Sequence, residues 1–234
     1  MYALTIAGGK GERLRPLTDN LPKPLVDVGG KPLLHHQVNM LLNAGVTDIV
    51  FLCGYLGERI RDHFGDGAQH GFRAHYSFEE QPLGRGGALR QGFAQVPETE
   101  QLVYALNGDI LTSQPLPELM ERQRQTNATA TVMLTPYPNT YGIVETDDAD
   151  LVTRFAEKIP LPHWINAGIY LFKREIEPLL PKQGDHEDST FPQLAREGKL
   201  AALKSKSPWR AVDSLKDRDE AERMVAAPSW PHRR

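Results

Sequence analysis

Apolar runs alternate with amphipathic stretches along most of the chain. Tyr2–Ala7 is an almost unbroken apolar run, the pattern of a strand covered on both faces. A helix is predicted from Pro32, a residue suited to a first turn. Its Leu34, Val38, Leu41 and Leu42 fall on one face, and Gly45 ends it. Thr47–Cys53 reads as a second strand and Leu56–Phe64 as a helix. Phe72–Phe78 is then a strand, Gly87–Ala94 a short helix, and Leu102–Leu106 a strand that runs into Asn107-Gly108-Asp109. Leu116–Gln125 is predicted helical, with Ser113 as its cap. The pattern then turns to strands over Thr129–Leu134, Gly142–Glu145, Leu151–Phe155 and Ile165–Phe172. Helices near Glu175–Leu180 and Ser189–Glu197, a strand over Leu200–Ser205 and a helix over Ser214–Val225 complete the series.

Strands alternating with helices predict an α/β fold. The expected sheet is mixed but mostly parallel, Rossmann-like, with helices on both faces. Neither an internal repeat nor a linker interrupts it, so residues 1–226 form one domain. Residues 227–234, with two prolines, are expected to fray.

Composition narrows the function classes. The chain has 234 residues and a net charge of −3, so no overall positive field argues for nucleic acid or an anionic membrane. No apolar run is long enough to span a bilayer, and a soluble, cytoplasmic protein is expected. The single cysteine, Cys53, sits in an apolar run and reads as a buried thiol.

The positive charge is local. The first strand runs into Ala7-Gly8-Gly9-Lys10-Gly11-Glu12-Arg13-Leu14-Arg15-Pro16-Leu17-Thr18, and Lys23 follows. Glycines let backbone N–H groups close around phosphate oxygens, and the cations neutralise their charge. The loop is not a P-loop, because Gly11 rather than Ser or Thr follows Lys10. Nor is it a dinucleotide fingerprint, because Leu14 stands at the third glycine position. A tight strand-to-helix turn would explain the glycines but not the cluster of Lys10, Arg13, Arg15 and Lys23. At the end of another strand, Asp109 behind Gly108 suits a hard cation, or a plain turn. Parallel sheets place ligands at the carboxyl ends of strands, so the two features are expected to share one site.

The opening loop resembles the signature of the sugar-1-phosphate nucleotidyltransferases, roughly G-G-x-G-T-R-L-x-P-L-T followed by P-K-P. Here Pro22-Lys23-Pro24 matches the second part, and Glu12 replaces the commoner Thr. Glu79-Glu80-Gln81-Pro82-Leu83-Gly84-Arg85-Gly86-Gly87-Ala88 resembles the family's base-contacting loop, with Arg85 in place of Thr. That Arg reads either as an added contact to the nucleotide or as a solvent-facing side chain. Tyr141-Gly142-Ile143-Val144, Glu157-Lys158 before Pro160, and Asn166-Ala167-Gly168 resemble the stretches that line the sugar phosphate, with Ile159 as an extra residue. Trp209 to Ser214 resembles the late motif that carries a second metal carboxylate, at Asp213.

The resemblance implies the nucleotide-diphospho-sugar transferase fold, similar to that of GT-A glycosyltransferases. It implies transfer of a nucleotidyl group from an NTP to a sugar 1-phosphate, with Mg²⁺ as cofactor. By position it implies Arg13 and Lys23 as catalytic residues. Ala7, Gly8, Gly9, Lys10, Gly11, Gln81, Pro82, Gly84, Gly86 and Gly108 would bind nucleotide. Gly142, Glu157, Lys158, Asn166 and Gly168 would bind the sugar phosphate, and Asp109 and Asp213 the metal. The substrate pair is left open. Tyr141–Glu145 and the base loop look most like mannose- or heptose-1-phosphate guanylyltransferases, Glu12 like a uridylyl branch and Val212–Leu215 like a cytidylyl branch. No C-terminal β-helix domain is expected within this length, and a homodimer or homo-oligomer is left open. Two rivals remain: a GT-A glycosyltransferase using the D-x-D spelling in Asp147-Asp148-Ala149-Asp150, and a non-catalytic nucleotide-sugar sensor.

Overall fold

The computed structural model describes residues 1–137, 139, 141–157, 159 and 161–231. In chain order the strands are β1 (Tyr2–Ile6), β2 (Asp27–Val28), β3 (Lys31–Pro32), β4 (Asp48–Cys53), β5 (Arg73–Phe78), β6 (Leu102–Asn107), β7 (Ile110–Thr112), β8 (Ala130–Pro136), β9 (Ile143–Thr146), β10 (Val152–Ala156), β11 (Trp164–Lys173), β12 (Leu200–Lys204) and β13 (Trp209–Ala211). The helices are α1 (Leu33–Asn43), α2 (Gly57–Phe64), α3 (Gly84–Gly92), α4 (Pro117–Thr126), α5 (Thr190–Arg196) and α6 (Leu215–Ala226).

Seven strands form one sheet in the order β12-β8-β11-β6-β1-β4-β5. The pairs β6–β1, β1–β4, β4–β5 and β8–β12 are parallel, and β11 runs antiparallel between β6 and β8. The mixed, mostly parallel sheet read from the sequence is therefore the sheet observed. Side chains alternate across it. Ala3, Ile49, Phe51, Tyr104 and Leu171 join one core with α1, α2 and α4. Leu4, Val50, Leu52, Val103 and Phe172 join a second with α3 and α5. Buried faces on both sides explain why these strands read as continuous apolar runs.

Several local expectations give way to tertiary contacts. Ser113 does not cap α4: that helix starts at Pro117 with no side-chain cap, and the Ser113 N–H instead donates to the Pro208 carbonyl at 3.1 Å. The segment Arg174–Leu179 is a 3-10 turn that contains Pro178, not an α-helix. The tail does not fray at 227, because Trp230 is buried with Val28, Leu33 and Val225. His36 is buried, and its Nε2 lies 2.9 Å from the Val28 carbonyl oxygen.

His35 meets two other imidazoles on this face. Its Nε2 lies 2.8 Å from that of His63, and its ring centroid lies 4.9 Å from that of His70. Burial, then the neighbouring His63 and His70, hold its pKa down to about 4 from the usual 6.5. Between those two pH values the unfolded chain binds the proton and the folded one does not, so folding stability falls as pH drops through that window. Thermal unfolding should show a lower Tm at pH 5 than at pH 7, and His35→Gln should shrink that difference. An unchanged difference would remove His35 as the cause.

Candidate active site

Four strands of the sheet, β6, β1, β4 and β5, end at one edge, and the loops beyond them enclose a cavity of about 900 Å³. The loop after β1 forms its floor. The Ala7 N–H donates to the Leu52 carbonyl and the Tyr55 N–H to the Gly8 carbonyl, which fixes the loop against the end of β4. A Cβ on Gly8 would come within 3.0 Å of Glu79 and 3.1 Å of Gly54, so a side chain here would crowd both neighbouring loops. Gly11 has φ 62°, and a Cβ on it would lie 2.9 Å from the Cβ of Lys23. Glycine at that point therefore lets Lys23 run beside the loop. Thr18 Oγ1 donates to the Gly11 carbonyl at 2.8 Å, and buried Leu14 anchors the following 3-10 turn. Ala7, Gly8, Gly9, Lys10, Gly11 and Arg13 all line the cavity. Lys10 has no ion pair among the described residues, whereas Arg13 Nη2 lies 2.9 Å from Asp213.

Lys23 is the hub. Its Nζ donates to Asp109 Oδ2 at 2.6 Å and to Asp213 Oδ1 at 2.7 Å. These carboxylates are 104 positions apart in sequence and are joined by a ladder the sequence did not reveal. β7 leaves Asp109 and pairs antiparallel with β13, and the Val212 N–H donates to the Asp109 carbonyl at 2.9 Å. Trp209 Nε1 donates to the Ala167 carbonyl, fixing β13 against β11 as well. Burial opposes ionisation of Asp213, but the hydrogen bond and charge of Lys23, then Arg13, hold its carboxyl below the usual range.

Convergence of both carboxylates on one ammonium tests the site as a cation site. Two hard oxygen donors already face a single positive centre, the donor chemistry that Mg²⁺ takes together with waters and phosphates. The residues fit that ion. Among the described residues no group of three or more His, Cys, Asp or Glu is arranged to hold a metal, so phosphate oxygens would have to complete the set.

Gly108 lines the cavity, yet its glycine identity answers to the sheet. A Cβ there would overlap the Ile6 carbonyl oxygen, to which the Gly108 N–H donates at 2.8 Å. The loop after β5 departs further from expectation. The helix expected from Gly87 starts at Gly84, because residues 181–187 pack over its first turn. The Gly184 carbonyl accepts from the N–H groups of Gly86 and Gly87, and Asp185 Oδ1 accepts from that of Arg85 at 2.8 Å. Side chains at Gly84, Gly86 or Gly87 would strike this strap. Gln81, Pro82 and Gly84 line the cavity; Gly86 is buried outside its lining, with its N–H already spent on Gly184. Glu79 Oε2 accepts from the Leu83 N–H at 3.0 Å and so ties this loop to the glycine loop it touches.

Arg85 is exposed at the cavity, as the readings from the sequence allow, but it is also ion-paired. It pairs with Asp185 at 2.6 Å and with Glu187 at 3.3 Å, and it lines the cavity together with Asp185. Sequence reasoning missed Asp185. The only signal was Arg85 itself, an unexpected cation in need of an anion.

Of the residues assigned to the sugar, Asn166 and Gly168 lie on β11, on the side of β6 away from β1. Asn166 and Gly168 sit where the β11–β8 register is interrupted. The Asn166 side chain accepts from the Gly168 N–H at 2.9 Å and donates to Tyr170 Oη at 2.8 Å. Gly168, at φ 71°, lets β11 pass close to the Asn107 side chain. Gly142 and Glu157 face each other across the β9–β10 hairpin. None of these four lines the cavity, and Lys158 and Pro160 lie outside the described residues. Asp147 of the D-x-D spelling accepts from the Ala149 and Leu151 N–H groups of its own turn and does not line the cavity. Cys53 is buried, which pushes its thiol up to about 12. Among the described residues no helix is long and apolar enough to cross a membrane.

The nucleotidyl transferase family model matches residues 2–225. A mannose-1-phosphate guanyltransferase of Debaryomyces hansenii is 34% identical over 226 residues, covering 93% of this chain and 62% of that protein. A mannose-1-phosphate guanylyltransferase of Mycobacterium tuberculosis is 33% identical over 223 residues, again 62% of its length. The chain thus spans about three fifths of these curated relatives. HddC from Yersinia pseudotuberculosis, solved complexed with GMP-PN, superposes with a TM-score of 0.73 at 23% identity, covering 96% of this chain and 99% of the other. That likeness shows the shared fold. With its sheet, its glycine loop and a match over nearly its whole length, the chain belongs to the nucleotidyl transferase family.

Proposed function

We propose that the chain transfers a nucleotidyl group from an NTP to a sugar 1-phosphate, releasing pyrophosphate. The observation that carries this is the convergence of Lys23, Asp109 and Asp213 beside a glycine loop in a cavity large enough for a nucleotide. In the reaction a phosphate oxygen of the sugar phosphate forms a bond to the α-phosphorus. The bond from that phosphorus to the bridging oxygen of pyrophosphate breaks, and the leaving group takes the electron pair. No protein nucleophile is needed; positioning and charge neutralisation supply the catalysis.

The chain's own groups divide that work. Backbone N–H groups of the glycine loop and the Lys10 ammonium face the triphosphate. Arg13, three quarters exposed and held to Asp213 at 2.9 Å, is free to exchange that carboxylate for the leaving pyrophosphate. Lys23 neutralises charge at the α-phosphate. Lys158 is proposed to hold the incoming phosphate. Mg²⁺ bound by Asp109 and Asp213 would supply charge neutralisation on the phosphate oxygens.

Relatives named mannose-1-phosphate guanylyltransferase make GTP with mannose 1-phosphate the first pair to test. Pyrophosphate release should need both an NTP and a sugar 1-phosphate. Consumption of a sugar-nucleotide donor without pyrophosphate would favour a glycosyltransferase. Nucleotide binding with no turnover across a panel of sugar 1-phosphates would favour a sensor.

A further inference from the structure

We propose that Gln37 is a positioning residue for the cation site: its carboxamide clamps the turn that presents Asp109. This rests on the Mg²⁺ reading above. Gln37 stands on the apolar face of α1, with Leu34, Val38 and Leu41, and is 1% exposed. A polar side chain so deep in a helix face needs partners. It finds two. Its Nε2 donates to the Asn107 carbonyl and to the Ile110 carbonyl, each at 2.8 Å. Those carbonyls flank Gly108-Asp109, the two turn residues between β6 and β7.

The partners settle which end of the amide faces the turn. Carbonyls accept, so the NH₂ group with its two donors must point at them, and the amide oxygen cannot. A Ser or Thr hydroxyl carries one donor on a shorter stem, and a Lys ammonium would bring a buried charge. Other elements hold the rest of the turn. The Gly108 N–H donates to the Ile6 carbonyl at 2.8 Å, and the Asp109 carbonyl accepts from the Val212 N–H at 2.9 Å. Asp109 is therefore gripped through its backbone from β1, from the residue after β13 and, on both flanks, from α1.

The same helix holds the other member of the ion pair. The Leu33 N–H donates to the Val26 carbonyl at 2.9 Å and the Val26 N–H to the Lys23 carbonyl at 3.1 Å, while Leu25 joins the core that contains Leu34 and Val38. One rigid element thus sets the Lys23 segment and the Asp109 turn against each other, and the 2.6 Å contact from Lys23 Nζ to Asp109 Oδ2 spans them. Gln37 does not line the cavity and acts through the turn alone. Contacts of this outer kind hold metal ligands at their spacing before the ion arrives.

Two variants of the whole chain test the clamp. Gln37→Met fills a similar space with no donor. Gln37→Glu keeps the shape, and a buried carboxyl held neutral keeps one O–H. Mg²⁺ affinity by calorimetry, and the Mg²⁺ needed for half-maximal pyrophosphate release, should weaken about 10- to 100-fold in Gln37→Met, with Gln37→Glu between it and the unaltered chain. At saturating Mg²⁺ the rate should return to within about 3-fold of the unaltered one, because mass action restores the occupied site. A glutamine that only supports the fold would lower Tm and the ceiling rate and leave the half-saturating Mg²⁺ where it is. That result would overturn the proposal, as would failure of both variants to fold. If the unaltered chain neither binds Mg²⁺ nor needs it for pyrophosphate release, the cation reading falls as well. If it does both and Gln37→Met matches it, the clamp alone is refuted.

Discussion

Lys23→Ala should lower pyrophosphate release about 10²- to 10³-fold, the usual loss when one charge partner of a developing oxyanion is removed. The fold should survive. The Lys23 side chain is 11% exposed, but it reaches into the cavity rather than into either hydrophobic core. Its ammonium also sits where both carboxylates meet, at 2.6 and 2.7 Å, and so competes for them with any bound cation. Removing it leaves two carboxylates facing each other with Arg13 as their remaining cation, on Asp213 alone. Mg²⁺ titrated without nucleotide should then bind more tightly to Lys23→Ala than to the unaltered chain, although turnover has collapsed. A purely structural lysine would not move the two readouts in opposite directions. Asp109→Ala should lose turnover and Mg²⁺ binding together. If it released pyrophosphate at the unaltered rate, the assignment of this pair would be wrong.

The largest loss of stability should come from Phe51→Ala. Phe51 lies in β4, fully buried, in the middle of the parallel strands. Its ring stacks on Phe64 of α2 at 5.1 Å between centroids and meets Phe72 at 6.0 Å and Tyr76 at 5.7 Å. Truncation removes the transfer energy of the ring and leaves a cavity that a strand held on both sides cannot close. About 3–5 kcal/mol should go, a large share of the stability of an ordinary domain. Urea unfolding would show this as a lower midpoint with an unchanged slope. A loss under about 1 kcal/mol would mean that the aromatic cluster re-forms around the gap. Because β4 supports the loop carrying Gly54 and Tyr55, the destabilised variant should also weaken the floor under Gly8.

The sequence by itself determined the strands and helices of the main sheet. Their apolar periods follow from faces buried on both sides, as in Ala3, Leu4, Ile49 and Val50. The glycine loop and its cations were legible as well, since three glycines and a run of cations are local chemistry. Two carboxylates at motif positions were legible in the same way. What the tertiary structure decided is everything that depends on which segments meet. β7 and β13 are three residues each, too short to carry a period, and their pairing is what places Asp213 beside Asp109. The start of α3 moved to Gly84 because a strap more than ninety residues away supplies acceptors for its N–H groups. Ser113 lost its cap to a partner beyond its own helix, and Trp230 held a tail that local composition would let go. The Arg85 side chain had no readable destination until Asp185 and Glu187 were brought to it. Local sequence encodes which groups are available. Contact between groups a hundred positions apart is set by the order of strands in the sheet, and here that order brings the loops beyond β5, β4, β1 and β6 around one cavity.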